Sequence, residues 1–164
     1  MLFNVSQLLQ EPVGSNRSGA VEPEAPLHHG HAELVRVPRG ILVRFDGEVF
    51  IDAACSRCLV PFSYPEHLEF EEVFAQQADP QTGERFDVED PDAFRIGLDN
   101  TIDITEAVRQ YTEVAAEMQP LCRPDCPGIC SECGQDLSMA RCTCDRTPVD
   151  SRWAALAALK RTNG

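Results

Sequence analysis

The stretch CRPDCPGICSECGQDLSMARCTC, residues 122–144, places six cysteines within 23 residues. Within it, Cys130-Ser131-Glu132-Cys133-Gly134 has the form of a zinc knuckle. Two cysteines separated by two residues can bind one ion from a single turn, and glycine relieves backbone crowding where the amides turn toward the second sulfur. Cys142-Thr143-Cys144 adds a second close pair, so Cys130, Cys133, Cys142 and Cys144 can close one four-thiolate site within 15 residues. A ribbon that small has too little apolar surface for a core of its own and would fold around its metal.

Working outward, the chain has eight cysteines in 164 residues. The other four are Cys55 and Cys58, in Cys-Ser-Arg-Cys, and Cys122 and Cys126. They form a candidate second four-thiolate set, one that ties a strand end to a helix end and closes a long loop. The spacing alone does not choose this partition, because Cys122 or Cys126 could replace either member of the Cys142–Cys144 pair. Zinc takes four such ligands in a tetrahedron at about 2.3 Å from each sulfur, and two complete thiolate sets leave it closed and structural. Two Zn²⁺ ions are therefore expected. A redox role for Cys-Ser-Arg-Cys is the rival reading. It calls for a helix start to lower the thiol pKa, and Leu59-Val60-Pro61 discourages one. No βαβ unit surrounds the pair.

The amino-terminal residues carry neither a basic stretch nor a continuous apolar run, and no apolar run approaches a membrane-spanning length. With thiols kept reduced for metal, the expected setting is the cytoplasm, without a membrane partner. The net charge of -13 is concentrated in residues 61–120, which hold 15 acidic side chains against three Arg, whereas residues 121–164 hold six basic and five acidic. A field of that sign attracts basic partners and repels phosphate backbones. Direct RNA contact would fall to the basic C-terminal segment, with Arg141, Arg146, Arg152, Lys160 and Arg161 around Trp153. No P-loop, dinucleotide fingerprint, nucleophile elbow or zinc-protease helix occurs, so the expected role is that of an adaptor, not an enzyme.

The expected fold is α+β: an antiparallel sheet or partial barrel packed by one main helix, then a Cys-rich zinc ribbon and a short terminal helix. Residues 1–120 form the core domain, 121–147 the ribbon and 148–164 a basic helix or tail. Ser6 to Glu11 reads as one helical turn. Residues 12–30, rich in Pro, Gly, Ser and Glu, read as a mobile loop, and 76–92 as an acidic loop. Asp46-Gly47 between Gly40–Phe45 and Glu48–Ala53 has the chemistry of a hairpin turn. The run from Val60 to Ala75 alternates until Glu71-Glu72, where a bulge is expected. Asp103 and Glu106 fit a capping box for a helix ending at Pro120, with Ala107, Val108, Tyr111, Val114, Ala115 and Met118 as its buried stripe. His28, His29 and His31 could bind a metal as an imidazole cluster, but they fall in the predicted loop, where solvated histidine is the commoner case, and are left unassigned.

The ordered combination resembles the bacterial YceD family: a strand followed by Cys55-Ser-Arg-Cys-Leu, an acidic strand, the Leu98-Asp-x-x-Ile-Asp-Ile-Thr-Glu helix entry, and Pro120-Leu-Cys-x-x-x-Cys-x-Gly-Ile-Cys-x-x-Cys-Gly. The resemblance runs from Asn4-Val5-Ser6-Gln7-Leu8-Leu9 to Arg152-Trp153-Ala154-Ala155-Leu156. It implies a role in accumulation of large-subunit ribosomal RNA and in ribosome assembly, with no catalytic residue to carry over; of the two mechanisms that fit, an acidic sheet holding a basic ribosomal protein or processing factor and a basic ribbon touching precursor RNA, the charge map favours the first. A zinc-containing redox or RNA-processing enzyme is the alternative.

Overall fold

The computed structural model describes residues 1–79, 82–88, 90–144 and 152. The expected C-terminal helix around Trp153 lies outside the described residues. The chain divides into two compact units, one of Met1–Ala53 with Phe62–Met118, the other of Ala54–Pro61 with the chain from Gln119 onward. The cysteine unit is thus wider than 121–147, because it takes in the connection that carries Cys55 and Cys58.

The larger unit is α+β, with two antiparallel sheets and one main helix. β1 (Leu2–Asn4) pairs with β6 (Thr101–Asp103). A four-stranded sheet runs β2 (Asn16–Val21), β3 (Leu27–Val37), β4 (Gly40–Ala54) and β5 (Pro61–Ala75) in that spatial order. A 3₁₀ turn at Leu8–Gln10 buries Leu8 and Leu9. Among the described residues no helix is long and apolar enough to cross a membrane.

Three expectations about the strands are corrected. Residues 16–21 form a strand, and β3 begins at Leu27, so most of 12–30 is not loop. Only Val21 of β2 is buried, which is why the stretch lacks an apolar alternation. Asp46-Gly47 is not a turn: β4 passes straight through it, Gly47 faces Gly30 of β3, and the tight connection is Pro38-Arg39, between paired Val37 and Gly40. The Phe45 ring lies against both glycines, and a Cβ at either would stand 2.8 Å from its atoms. Gly47 therefore marks a close approach of ring to backbone. Nor is β5 broken at Glu71-Glu72. Leu68, Phe70 and Phe74 are buried in one row and half-buried Glu72 takes the place between them. Its carboxylate accepts the Tyr111 hydroxyl at 2.8 Å, so an inward carboxylate is satisfied without breaking the alternation.

The residues read as an acidic loop, 76–92, are held by bridges where described, Ala78 to Arg85 and Ala75 to Arg95. α1 spans Thr105–Ala115, four residues short of Gln119. It does not start with a capping box. Asp103 Oδ1 accepts from the Thr105 amide (2.9 Å) and hydroxyl (2.6 Å), while Glu106 is engaged by Arg109 and Gln110. Ala107, Val108 and Thr112 are buried, whereas Val114 and Met118 are 83% and 99% exposed. The stripe fails at its C-terminal end because the helix stops before bringing Met118 round. What joins helix to sheet is an aromatic stack: Tyr111 lies on Phe70 with centroids 4.4 Å apart, and Phe70 on Phe45 at 5.0 Å.

Gly47→Ala should destabilise the protein by about 1–3 kcal/mol through overpacking against Phe45. Urea unfolding would show it as a lower midpoint with an unchanged slope, and an unchanged midpoint would contradict the packing described.

Candidate metal centres

Two turns of the same construction carry the paired cysteines of the smaller unit. In the first, the Leu59 amide donates to the Cys55 carbonyl (2.8 Å) and the Cys55 amide to the Val60 carbonyl (3.0 Å). In the second, the Gly134 amide donates to the Cys130 carbonyl (2.9 Å) and the Cys130 amide to the Gln135 carbonyl (2.8 Å). The residue after the second cysteine has positive φ in both, +63° at Leu59 and +72° at Gly134. Glycine adopts that conformation freely. Leucine does so at a cost of roughly 1–2 kcal/mol, and Leu59, 64% exposed, has its side chain in solvent.

The fold brings the eight cysteines together as two groups: Cys55, Cys58, Cys122 and Cys126, and Cys130, Cys133, Cys142 and Cys144. Within each group the four sulfur atoms lie within 4.8 Å of one another. This is the partition that the spacing suggests but does not decide. In the first group the sulfurs of Cys55 and Cys126 are 3.8 Å apart and those of Cys58 and Cys122 3.7 Å. Four sulfurs at about 2.3 Å from a central ion stand about 3.8 Å apart along each tetrahedral edge. Both distances match that edge, and all eight cysteines are free of disulfides.

The electrostatics fit a cation as well. The Cys122 amide, with those of Cys58 and Arg57, draws the Cys55 thiol down to about 6, against the desolvation of its buried sulfur. Desolvation, followed by the thiols of Cys58, Cys55 and Cys126, pushes Cys122 up to about 12. In the second group the Cys133 and Glu132 amides lower Cys130, the Gln135 amide lowers Cys133, and contact with Cys133 pushes Cys144 up to about 12. Backbone donors thus favour thiolates in both groups, but sulfurs this close cannot all ionise unless a cation offsets the charge. Each group could hold a metal ion.

Arg57, between the first pair of cysteines, braces the segment that links the two groups. Its guanidinium donates to the Cys126 carbonyl (3.0 Å), and its own carbonyl accepts the Ile129 amide (3.1 Å). Gly128, at φ +76°, passes so near that a Cβ would sit 3.0 Å from the Arg57 oxygen. Sequence reading missed both Arg57 and Leu59. Leu59 was within reach, since it occupies the place of Gly134 in a parallel Cys-Ser-x-Cys motif.

An α+β unit joined to a unit with two four-cysteine groups defines the class of the protein. The chain belongs to the YceD family: residues 43–160 match the family described as "Large ribosomal RNA subunit accumulation protein YceD". Uncharacterized proteins of Mycobacterium tuberculosis and Mycobacterium bovis are each 30% identical over 120 residues, 73% of this chain and 56% of theirs. One of Mycobacterium leprae is 31% identical over 83 residues, 51% of this chain and 36% of its own. The chain spans about half the length, or less, of these curated relatives. No solved structure matches.

Leu59→Gly should stabilise the protein by about 1 kcal/mol through relief of the left-handed leucine, and Gly134→Leu should cost at least as much. Thermal unfolding of the metal-loaded protein would show shifts of opposite sign; a Leu59→Gly variant that melts earlier would contradict the assignment.

Proposed function

We propose that the chain is a non-catalytic zinc protein that supports accumulation of large-subunit ribosomal RNA and ribosome assembly by binding a basic ribosomal protein or processing factor. Family membership supports the RNA theme. The binding mode rests on one observation: an acidic face at a sheet edge.

β5 is the last strand of its sheet. Leu68, Phe70 and Phe74 are spent on the core, which leaves Glu69 and Glu71 exposed on the other row; Glu84, Asp87, Asp90 and Asp92 are exposed in the segment that follows. A cationic surface would gain both from this field and from the backbone groups of an edge strand. Thiolate donors in fours suit Zn²⁺, and four sulfur ligands leave no open position for a reacting group. In this reading zinc fixes the smaller unit in place of a core. The reducing cytoplasm is the setting that keeps the thiols available to it.

Lysine substitution at Glu69, Glu71, Asp87 and Asp90 should abolish capture of basic large-subunit factors from growing cells, and raised salt should weaken capture by the unaltered protein. Capture that survives the reversal would remove the acidic face from the proposal.

Metal counting tests the other half. The thiolate groups of the purified protein should hold two zinc ions, and Cys55→Ser and Cys142→Ser should each lose one of them. Complete removal by a strong chelator should unfold the smaller unit, visible as loss of amide protection from Gln119 to Cys144. Retention of both ions by Cys55→Ser would contradict the assignment of ligands. Thiol–disulfide exchange or RNA cleavage by the purified protein would favour an enzyme instead.

A further inference from the structure

Beyond the cysteines, one more set of ligating side chains converges in the larger unit. A register shift separates the Leu27–Val49 and His29–Glu48 pairs of β3 and β4, so that Leu27, His28 and His29 stand against only Val49 and Glu48. This is a β-bulge with His28 as the extra residue. In a regular strand two consecutive side chains point to opposite faces; a bulge turns one of them. Here it brings both imidazoles to the same carboxylate. His28 Nδ1 lies 3.1 Å from His29 Nδ1, and the two stand 3.5 Å and 3.9 Å from Glu48 Oε1.

We infer that His28, His29 and Glu48 form a third metal site, an open one for a divalent transition ion. Ligands at about 2.0–2.1 Å from a tetrahedral ion stand about 3.3–3.4 Å from one another. The three observed separations bracket that value. Two imidazoles with one carboxylate suit Zn²⁺, Ni²⁺ or Cu²⁺ and not Mg²⁺ or Ca²⁺, which take oxygen ligands. The side chains are 60%, 67% and 38% exposed, so an ion can enter without any movement of the fold and would keep positions open to water or another ligand. His28 is held edge-on to Phe50, with ring centroids 5.3 Å apart, and lines an open groove with Pro26, Phe50 and Asp52. Glu48 is fixed from below by its place in β4 between buried Gly47 and Val49. His31 stands opposite Asp46 on the regular part of the ladder and does not join.

The site is independent of the thiolate groups, and its test is a difference that does not depend on how many ions those groups hold. Equilibrium dialysis of the full chain against Zn²⁺ should give one more ion per chain for the wild type than for His28→Ala/His29→Ala. Glu48→Gln should weaken that ion by at least the roughly 10-fold typical of losing even an outer partner. Excess Mg²⁺ should not displace it. As a second readout, Zn²⁺ should move the imidazole proton resonances of His28 and His29 and leave those of His31 and His67 in place. Equal uptake by wild type and double variant, or movement of the His31 or His67 signals instead, would overturn the assignment.

Discussion

The smaller unit depends on the convergence of thiols from segments far apart in sequence. Every residue of the described hydrophobic core belongs to the larger unit, and among the described residues of the smaller one the buried hydrophobic side chains are Cys55, Cys126 and Cys130. So few buried side chains among the described residues do little to offset chain entropy by apolar burial. What organises it is sulfur: Cys55 reaches Cys126 and Cys58 reaches Cys122 across more than 60 residues of sequence. Arg57 then ties its own turn to the segment leading to the second group.

In the larger unit the corresponding constraint is aromatic. Phe45 covers the Gly30–Gly47 pair, Phe70 stacks on Phe45, and Tyr111 carries the stack to α1. The Tyr111 hydroxyl then satisfies Glu72 in a row otherwise given to Leu68, Phe70 and Phe74. This explains how an acidic strand keeps its alternation. The outward carboxylates cost little because they are solvated, and the inward one is hydrogen-bonded where it is half-buried. The acidity of β5 and the packing of the core are compatible because the pleat separates them onto two faces.

The cysteine groups were legible because their chemistry is local: close pairs announce themselves, and only the choice of partners needs the fold. The helix was legible in position but not in extent, since Met118 follows a helical period that the backbone does not continue. The strands were read less well, for one physical reason. Glycine has two uses, freedom at a turn and room for a neighbour, and Asp46-Gly47 looks the same in either case until the Phe45 ring is placed over it. Edge strand β2 escaped notice because exposed on both faces it carries no alternation, and the bulge at His28 escaped with it. A pair of histidines in a supposed loop gives no reason to look for a carboxylate twenty residues away.

The two cysteine turns show how much of such a site the local sequence specifies. Cys55–Val60 lies between two long strands, and Cys130–Gln135 in a stretch where, among the described residues, the only bridge is Ile129 to Asp136. Their places in the chain differ, yet they make the same two backbone hydrogen bonds and place the residue after the second cysteine at a similar positive φ. Common to both is Cys-Ser-x-Cys alone. The motif therefore dictates the turn, strongly enough to hold a leucine in a conformation that favours glycine. The remaining pairs do not repeat: Cys122 and Cys126 are separated by three residues, Cys142 and Cys144 by one. Half of each site is a self-sufficient turn, and the other half is whatever the fold delivers to it. This division accounts for why spacing identified the knuckles directly and left their partners to be found in three dimensions.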